Sequence, residues 1–415
     1  MNITLVKILK YSIYLILGIS ILYLIYFINT EDPLKKKLRR ELKSIYKNNT
    51  FSKHLLNDYR EEFLPNTQFI KLEYKKIDLD FLNINPCYFG SCYTFFLEQK
   101  DDKLIILDRK GNLKITSIDD LDKNSIQFTD VKTNLNFDYV LDVLIKGNEI
   151  FITGKKDLDE NQTILEIVSG YFDEKEVDFT SVMKFRAESC ILRHSVHSGK
   201  IQFMPNSENK LILAVNSAGG LDSPNLENLS KDSICGKTLL VDIKKKSYEI
   251  YSSGHRNIIG LYADEKVILS TEHGPHAGDE INNIKANKSY GWPIASYGEK
   301  YTRDKNNLQP NYKKNHKKEG FEEPIFSFIP AIGISEIIKL PNNFSNLWQD
   351  NFLLASLNGK HLFRIKFDED FNKIIYFEKI YIGDRMRDLI YVSNKKKIIL
   401  ALELEGALGI LSNAN

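Results

Sequence analysis

The amino-acid sequence predicts an all-β propeller preceded by a single N-terminal transmembrane helix. Two observations predict this arrangement: an uncharged apolar run near the N-terminus, and a long series of short β-branched and aromatic runs separated by turn-forming residues. A third is that no long amphipathic helical pattern interrupts the series. We therefore expect three parts: a membrane anchor at 1–30, a basic stalk or linker at 31–66, and a propeller at 67–415.

The composition is that of a globular protein. The chain has 415 residues, of which 42% are hydrophobic and 27% charged, and its net charge is only +2. So small a net charge creates no global field that would attract nucleic acid. We therefore expect no nucleic-acid partner.

The anchor is predicted from Tyr11–Thr30, which contains no charged side chain. At about 1.5 Å per residue, a helix of this length crosses the hydrocarbon layer of a bilayer. A buried helix of the same length would normally carry a polar face. A cleavable signal peptide would end in small residues, which are missing here. The run is thus predicted to be an uncleaved membrane anchor.

The side of the membrane on which the propeller lies is predicted from two opposing signals. Lysine and arginine residues are concentrated after the apolar run, between 35 and 47, and the positive-inside rule then places the propeller in the cytoplasm. The even cysteine count, together with the family resemblance given below, favours the exported, periplasmic side, which we prefer. The basic run itself is suited to contact anionic lipid headgroups.

The four cysteines leave two interpretations open. Two disulfides are possible in an oxidising compartment, as Cys87–Cys92 with Cys190–Cys235 or in another pairing. Four unrelated buried thiols are equally compatible with the sequence. Structural zinc is disfavoured because no Cys-x-x-Cys motif occurs.

The strands are predicted from ten β-rich runs bounded by turn formers. These runs are Tyr93–Leu97, Leu104–Leu107, Glu149–Thr153, Ile201–Met204, Leu211–Val215, Lys237–Ile243, Lys266–Ser270, Asn351–Ser356, His361–Phe367 and Lys397–Leu402. Six blades of four strands would take about 58 residues each, a normal size for a propeller. The last segment, Ile398–Leu411, is expected to complete a blade begun by the first strands, because an open edge promotes aggregation.

Chemically active side chains are concentrated between Gly254 and Tyr301. This stretch combines a polar loop, one predicted strand, a Gly-Pro turn with histidines and carboxylates, and a second turn at 290–293. Such residues belong on loops at one end of a scaffold. The Gly274-Pro275 bend can present backbone carbonyls beside the acidic residues of 272–280, and this favours calcium over a merely solvated acidic turn.

Three motifs in this stretch resemble a known family. GHRN at 254–257, EHGPHAGDE at 272–280 and SYGWP at 289–293 are similar, in order and spacing, to the signature of the glucose/sorbosone dehydrogenases, the soluble PQQ-dependent aldose sugar dehydrogenases. Weaker similarity extends from about residue 138 to the C-terminus. The resemblance implies a six-bladed propeller with PQQ over its top face, calcium as a second cofactor, and a small-molecule sugar as substrate. It leaves the electron acceptor unknown.

The resemblance also implies roles for particular residues. Arg256, Asn257 and Tyr301 would contact the quinone, while Arg385 and Arg387 would bind its carboxylates. The carbonyls of Gly274 and Pro275 would hold the calcium at the cofactor, and Glu280 with the carbonyl of Tyr290 would hold a structural calcium. Without the resemblance, Arg385 and Arg387 are interpreted as exposed charges on a surface strand.

The catalytic base implied by the resemblance is His197, because a neutral imidazole can take the hydroxyl proton of a sugar near neutral pH. The family pattern places two residues between this histidine and a glycine followed by Arg or Lys. Here His197 is one residue too close to Gly199, and Val196 occupies the strict position. His194 is a less favoured substitute.

Two further positions depart from the family pattern. Phe137 stands where a glutamine that contacts the cofactor is expected, and Asn358 stands where a lysine is common. These departures keep a non-catalytic propeller that binds a glycan or a protein as an alternative.

A second alternative is a propeller metallohydrolase acting on lactones. It is suggested by the pairs His194-x-x-His197 and His273-x-x-His276. The quinoprotein dehydrogenase is preferred, because its motifs appear here in the family's order over about fifty residues.

Overall fold

The computed structural model describes residues 67–83, 85–87, 90–123, 126–158, 163–186, 198–217, 230–300 and 312–414, without the side chains of 85–91. The predicted anchor, the stalk and the site residues His197 and Tyr301 lie outside these ranges. Within them, no helix is long and apolar enough to cross a membrane. The transmembrane helix and its orientation stay predictions.

The described chain is built almost entirely from short β-strands. The first fourteen are β1 (Leu72–Asp78), β2 (Asn85–Cys87), β3 (Gly90–Cys92), β4 (Phe95–Lys100), β5 (Lys103–Asp108), β6 (Leu113–Ser117), β7 (Thr129–Thr133), β8 (Tyr139–Lys146), β9 (Glu149–Asp157), β10 (Thr163–Tyr171), β11 (Glu176–Val177), β12 (Thr180–Arg186), β13 (Ile201–Phe203) and β14 (Lys210–Val215). The remaining fourteen are β15 (Lys237–Asp242), β16 (Ser247–Ser253), β17 (Ile258–Ala263), β18 (Ile268–Glu272), β19 (Asp279–Asn283), β20 (Lys288–Ser289), β21 (Phe326–Phe328), β22 (Ile334–Lys339), β23 (Phe352–Ser356), β24 (His361–Phe367), β25 (Ile374–Tyr381), β26 (Met386–Val392), β27 (Lys397–Leu402) and β28 (Ala407–Asn413). Three short 3-10 helices accompany them, at Ile118–Asp122, Lys317–Glu319 and Asn346–Trp348.

These strands form six blades of four or five strands each, and the small hairpin β2–β3 stands apart. In chain order the blades are β4–β7 with β11, β8–β10 with β12, β13–β16 with β20, β17–β19 with β21, β22–β25, and β26–β28 with β1. The first strand of each blade contacts the first strand of the next, so β4, β8, β13, β17, β22 and β26 surround the axis. The predicted six-bladed propeller is confirmed. All ten predicted strands exist, with ends displaced by up to four residues.

The ring is closed by the two ends of the domain. Strand β1 is the outermost strand of the sixth blade and pairs antiparallel with β28, from Leu72 opposite Asn413 to Asp78 opposite Ala407. The predicted completion of one blade by both ends is therefore confirmed. Closure leaves the propeller without an open end.

The core lies between neighbouring blades. Leu72, for example, is fully buried in a cluster that joins the fifth and sixth blades, and Trp348 of the last 3-10 helix is buried in the same cluster. Similar apolar clusters lie between other pairs of neighbouring blades. Middle strands such as β23 are buried along their whole length, which explains their continuous apolar sequence.

Buried carboxylates connect the innermost strands around the axis. Asp142 accepts the backbone N–H of Ile201, and Asp388 accepts that of Leu97, each from the neighbouring blade. The Lys200 Nζ lies 2.5 Å from Asp142 Oδ1 and 2.5 Å from Glu336 Oε2. Since these bonds join five of the six blades, they hold the inner strand ends in fixed relative positions.

Two of the four cysteines can be assessed. Cys92 and Cys235 are both disulfide-bonded. Their partners' side chains lie outside the described part, so the presence of disulfides is confirmed and the pairing stays a prediction.

Candidate functional site

The two bends on which the proposed site depends lie against each other. Arg256 and Asn257 precede β17, while His273 and Gly274 follow its partner strand β18. The N–H of His273 donates to the carbonyl of Asn257 at 2.9 Å, and Arg256 Nη1 donates to the carbonyl of His273 at 3.1 Å. The antiparallel pairing of β17 and β18 brings both bends to the same end of the fourth blade.

The third motif, SYGWP at 289–293, contacts the first motif, GHRN at 254–257. The N–H of Tyr290 donates to the carbonyl of Ser253 at 2.9 Å, and that of Trp292 donates to the carbonyl of Gly254 at 3.0 Å. The Arg256 guanidinium also lies over the Trp292 ring, 5.4 Å from its centroid. The three motifs, separated in the sequence, thus form one structure.

A small polar cavity lies where the motifs meet. Its volume is about 10 Å³, enough for one water molecule or a single ion. The lining residues are Gly254, Arg256, Glu272, His273, Gly274, Pro275, Glu280, Tyr290, Trp292, Ala295 and Ser296. Five residues predicted from the sequence are therefore brought together: Arg256, Gly274, Pro275, Glu280 and Tyr290.

Glu272 forms one wall of the cavity, and each of its two carboxylate oxygens has a hydrogen-bond partner. Its carboxylate accepts the N–H of Arg256 and lies 3.1 Å from His255 Nδ1. The other ring nitrogen of His255 lies 2.8 Å from the hydroxyl of Ser252, and the ring stacks on Tyr290. These buried contacts fix the carboxylate without using its face toward the cavity.

The Gly274-Pro275 bend is fixed by Asp279. One carboxylate oxygen of Asp279 accepts the N–H of Gly274 at 3.1 Å, and the other accepts the N–H groups of Ile332 and Ile334. A Cβ at position 274 would lie 2.1 Å from the carbonyl oxygen of Gly278, so only glycine fits there. The bend is a built feature rather than a flexible acidic turn.

The cavity places Glu280 close to Glu272. Burial, and then the nearby Glu272 carboxylate, raise the pKa of Glu280 well above its ordinary value. His316 is also buried here, with Nε2 3.8 Å from Glu280, and its ring nitrogens make no hydrogen bond within the described residues. Two buried carboxylates beside one small cavity make an electrostatic site for a cation.

The carbonyls predicted to bind calcium can be examined in the same way. Among the described residues, no donor bonds the carbonyl oxygen of Gly274 or of Tyr290. No group of three His, Cys, Asp or Glu residues in the described ranges is arranged to hold a metal ion. A cation at this cavity would thus depend on backbone carbonyls in addition to Glu280, which is a ligand type that calcium accepts.

Arg385 and Arg387 lie at the start of the sixth blade and are buried rather than exposed. Arg387 Nε is 2.7 Å and Arg385 Nε 3.3 Å from the carboxylate of Glu403, which also accepts the hydroxyl of Thr94. Although burial opposes ionisation, the two guanidinium groups hold the pKa of Glu403 below its ordinary value. The interpretation of the two arginines as exposed surface charges is wrong.

His273 joins the fourth blade to the fifth. Its Nε2 lies 2.6 Å from the carbonyl of Ile334, which makes Nε2 the protonated nitrogen of the neutral ring. Burial lowers the pKa of His273, and the charges of Arg256 and Arg387 lower it further, while Asp279 opposes them. His273 thus connects the fourth blade to the fifth, and the residue after Ile334, Ser335, donates to the carbonyl of Met386, which precedes Arg387 in the sixth blade.

Asn257 has a contact that the sequence did not suggest. Its side-chain oxygen accepts the N–H of Ser198 at 3.0 Å. Ser198 directly follows His197, which lies outside the described residues, as does Tyr301. The roles of His197 and Tyr301 thus stay predictions.

The two departures from the family pattern have different surroundings. The ring of Phe137 packs on Gly154, where an added Cβ would come within 2.2 Å of it. Phe137 therefore contributes packing and offers no hydrogen bond at this position. Asn358 is exposed, and its N–H donates to the carbonyl of Ile332.

Two site residues were missed from the sequence. Glu403 lies in a different motif from the arginines that it binds, and only the register of β26 with β27 brings them together. His316 follows a long polar segment with no recognisable spacing to Glu280. The sequence offered one signal, and it concerned Glu403: this charged residue directly follows the apolar end of a predicted strand, Ala401-Leu402, where a buried charge is expected.

Comparison with known proteins agrees with this geometry. The family model described as Glucose / Sorbosone dehydrogenase matches residues 95–408, about three quarters of the chain. Aldose sugar dehydrogenase YliI of Escherichia coli is 28% identical over 145 residues, which are 34% of this chain and 38% of that protein. The chain spans about a third of the length of the curated relatives that it matches first.

Solved structures share the fold. A crystal structure of glucose dehydrogenase superposes with a TM-score of 0.67 at 19% identity, covering 83% of this chain and 100% of that one. The PQQ-bound aldose sugar dehydrogenase from Streptomyces coelicolor superposes with a TM-score of 0.58 at 17% identity, covering 84% and 99%. Taken with the family match over most of the propeller, the chain belongs to the glucose/sorbosone dehydrogenase family.

Proposed function

We propose that this protein is a membrane-anchored quinoprotein dehydrogenase that oxidises the anomeric carbon of an aldose, with PQQ as hydride acceptor. The observation that carries the proposal is that contacts between blades connect the arginines of the fourth and sixth blades: Arg256 donates to the carbonyl of His273, His273 Nε2 lies 2.6 Å from the carbonyl of Ile334, and the next residue, Ser335, donates to the carbonyl of Met386, which precedes Arg387. Such a cluster of fixed guanidinium groups suits a planar, multiply charged anion.

The residues present fit PQQ, which carries three carboxylates on a planar ring system. Arg256, Arg385 and Arg387 would hold it. Glu403 keeps both arginines of the sixth blade in place by binding their Nε atoms. Of the carboxylates in the cavity, Glu272 is already held by the N–H of Arg256 and by His255, so it does not compete for these guanidinium groups.

The residues also fit calcium. The cavity of about 10 Å³ is of ionic size, and the two buried carboxyl groups of Glu272 and Glu280 line it. Gly274 and Pro275 would contribute carbonyl oxygens at the cofactor, and Glu280 with the Tyr290 carbonyl would hold the structural ion.

The chemistry supplied by bound PQQ is acceptance of a hydride at a quinone carbon. The protein's own part is to take the proton of the anomeric hydroxyl, the role proposed for His197 in its neutral form. Arg256 and Arg387 would orient the acceptor and stabilise negative charge on it. The anomeric C–H bond would supply the hydride and the anomeric O–H bond the proton, so this carbon becomes the carbonyl carbon of a lactone.

The proposed location rests on the N-terminal sequence and on the state of two cysteines. The charge-free run Tyr11–Thr30 anchors the chain, and the disulfide-bonded Cys92 and Cys235 favour an oxidising, periplasmic compartment. Protease accessibility on intact spheroplasts tests this placement, and a protected propeller would contradict it.

The proposal is tested by reconstituting the full chain with PQQ and calcium. We expect a bound-quinone absorbance spectrum and reduction of a redox dye by aldoses, with turnover lost and the spectrum kept in His197→Ala. Lactone opening without PQQ would instead indicate a metallohydrolase, and glycan binding with neither activity would indicate a binding module.

A further inference from the structure

The two arginines of the sixth blade lie where the last blade meets the first. Arg385 directly precedes β26, the innermost strand of the sixth blade, and Arg387 lies within it. Thr94 directly precedes β4, the innermost strand of the first blade, and β4 lies beside β26 around the axis. Side chains of the first blade can therefore reach the arginines of the sixth.

One carboxylate oxygen of Glu403 accepts hydrogen bonds from both blades. Glu403 Oε1 lies 2.7 Å from Arg387 Nε and 2.8 Å from the hydroxyl oxygen of Thr94. The other oxygen, Oε2, lies 3.3 Å from Arg385 Nε. All four side chains are buried, and burial strengthens hydrogen bonds to a charged group. The Thr94 hydroxyl therefore helps to fix the direction in which Oε1 meets Arg387.

The main chain of Glu403 is also held from both blades. Its N–H donates to the carbonyl of Arg385 at 2.7 Å, and its carbonyl accepts the N–H of Tyr93 at 2.7 Å. Tyr93 and Thr94 are consecutive, so the first blade contacts Glu403 once through the main chain and once through a side chain. With the main chain fixed in this way, the orientation of the carboxylate depends on its side-chain hydrogen bonds.

Thr94 is supported from the opposite side by the first and second blades. Its carbonyl accepts the N–H of Arg109 at 3.0 Å, and the carbonyl of Arg109 accepts the N–H of Val140 at 2.8 Å. The Arg109 guanidinium lies over the Tyr139 ring, 3.8 Å from its centroid. The Thr94 hydroxyl thus belongs to a framework that extends from the sixth blade to the second.

The main chain on either side of Arg387 is bonded to the neighbouring blades. The carbonyl of Met386 accepts the hydroxyl of Ser335 in the fifth blade at 2.6 Å. The carboxylate of Asp388 accepts the N–H of Leu97 in the first blade at 2.8 Å. These bonds fix the backbone around Arg387, so the direction of its guanidinium is set further out, by the hydrogen bond from Nε to Glu403.

We propose that Thr94 is a positioning residue for the anion site: its hydroxyl orients the Glu403 carboxylate, which in turn directs the guanidinium of Arg387 toward the quinone carboxylates. The proposal rests on the proposed function, in which Arg387 binds PQQ. Thr94 acts through Glu403 and does not contact the cofactor. Because Glu403 uses the Nε–H of Arg387, the two Nη groups form the fork that is offered to the ligand.

The test uses the full chain and compares two substitutions at Thr94. Thr94→Val keeps the size and branching of the side chain but removes the hydroxyl, whereas Thr94→Ser keeps the hydroxyl. The matched control is Thr116→Val, because Thr116 is buried in the same blade and its hydroxyl has no hydrogen-bond partner within the described residues. Two quantities are measured without turnover: PQQ affinity by absorbance titration, and exchange of arginine Nε–H protons by NMR with isotope-labelled arginine.

We expect Thr94→Val to weaken PQQ binding by about tenfold, because Glu403 loses a buried hydrogen bond and no longer holds Arg387 in its binding orientation. Thr94→Ser should stay within about threefold of the wild-type affinity, and Thr116→Val should leave it unchanged. Wild-type affinity in Thr94→Val would overturn the proposal. A Ser variant as weak as the Val variant, or an equal loss in Thr116→Val, would indicate packing instead of the hydroxyl and would overturn it as well.

Proton exchange separates this proposal from the proposed function. Thr94→Val should accelerate exchange of the Nε–H of Arg387 but not that of Arg364, whose Nε donates to Glu378 at 2.6 Å in the fifth blade. If the wild-type protein does not bind PQQ, the proposed function fails, while exchange still shows whether Thr94 positions Arg387. Unchanged exchange at Arg387 would refute the positioning itself, whatever the affinity for PQQ.

Discussion

Arg256 joins the two bends of the candidate site through a single side chain. Its backbone N–H bonds Glu272, its guanidinium bonds the carbonyl of His273, and the same group lies over Trp292. The remaining N–H groups of the planar fork are arranged in one plane and suit a carboxylate or a quinone carbonyl. Arg256 is therefore expected both to stabilise the two bends and to bind the cofactor.

Replacement of Arg256 by alanine is expected to weaken PQQ binding by about tenfold to a hundredfold, because a charge-assisted hydrogen bond contributes on the order of 1.5–3 kcal/mol. The binding constant is measured by absorbance titration of the reconstituted protein. Arg186→Ala, at an exposed strand end, is the control and should leave affinity unchanged. Equal affinity in the two variants would remove Arg256 from the quinone site.

Substitution of Glu280 tests the calcium proposal. Calcium at saturating concentration should raise the melting temperature of the wild-type protein by a few degrees, because a ligand that binds only the folded state stabilises it. Glu280→Gln should lose the part of this increase that the structural ion supplies, whereas Glu322→Gln, a partly exposed carboxylate paired with Lys288, should keep the whole increase. An increase as large in Glu280→Gln as in the wild-type protein would place the structural ion elsewhere.

Single residues of the site differed in how well the sequence predicted them. Residues within one motif, such as Gly274 and Glu280, were found because their neighbours in the sequence are also their neighbours in space. Glu403 was missed because it meets Arg385 and Arg387 through strand register. The burial of these arginines could not be predicted either. Unless the partner of a charged residue is known, the sequence does not distinguish a buried charge from an exposed one.

At the scale of the element, strands were predicted well and blades were not. The composition of runs such as His361–Phe367 is enough to indicate a strand, and β24 has those bounds. The grouping of strands into blades depends on which edges pair, and the chain has no clean repeat to reveal it. Short strands such as β11 and β20, which pair parallel to the outer edges of their blades, had no signal at all.

The closing strand gives a prediction at this scale. Leu72 is fully buried in the cluster between the fifth and sixth blades, so Leu72→Ala should lower the free energy of unfolding by about 2–5 kcal/mol. Its neighbour Glu73 is exposed on the same strand, and Glu73→Ala should cost less than about 0.5 kcal/mol. Denaturant titration of both variants makes the comparison. Equal stabilities would mean that β1 is not part of the folded ring.

At the scale of the whole molecule, the blades meet around an axis with an excess of carboxylates. Glu98, Asp142, Glu336 and Asp388 surround this region, and Lys200 is the cation among them. Burial, and then Asp388, raise the pKa of Glu98 to about 8, while burial raises that of Asp388 to about 7 and that of Asp142 to about 6. These groups therefore bind protons more tightly in the folded protein than in the unfolded chain.

Stability is consequently expected to fall as the pH rises. Carboxyl groups with raised pKa values contribute fully below the ordinary range near pH 4, and this contribution is lost as the pH passes through about 6 to 8. Glu98→Gln should flatten the decline and raise the free energy of unfolding at pH 8.5 by on the order of 2 kcal/mol. Urea titrations at several pH values test this, with Asp130→Asn, an exposed carboxylate, as control. An unchanged pH profile in Glu98→Gln would contradict the assignment.

The pairing of β1 with β28 has a consequence for how the protein is made. Strand β1 can pair with β28 only after β28 has left the ribosome. Its edge therefore stays unpaired while the rest of the propeller is synthesised. If the chain is tethered at its N-terminus, that edge waits beside a membrane surface, where neighbouring nascent chains are close. The need for chaperones should therefore depend on the time between the synthesis of β1 and the synthesis of β28, rather than on the length of any one blade.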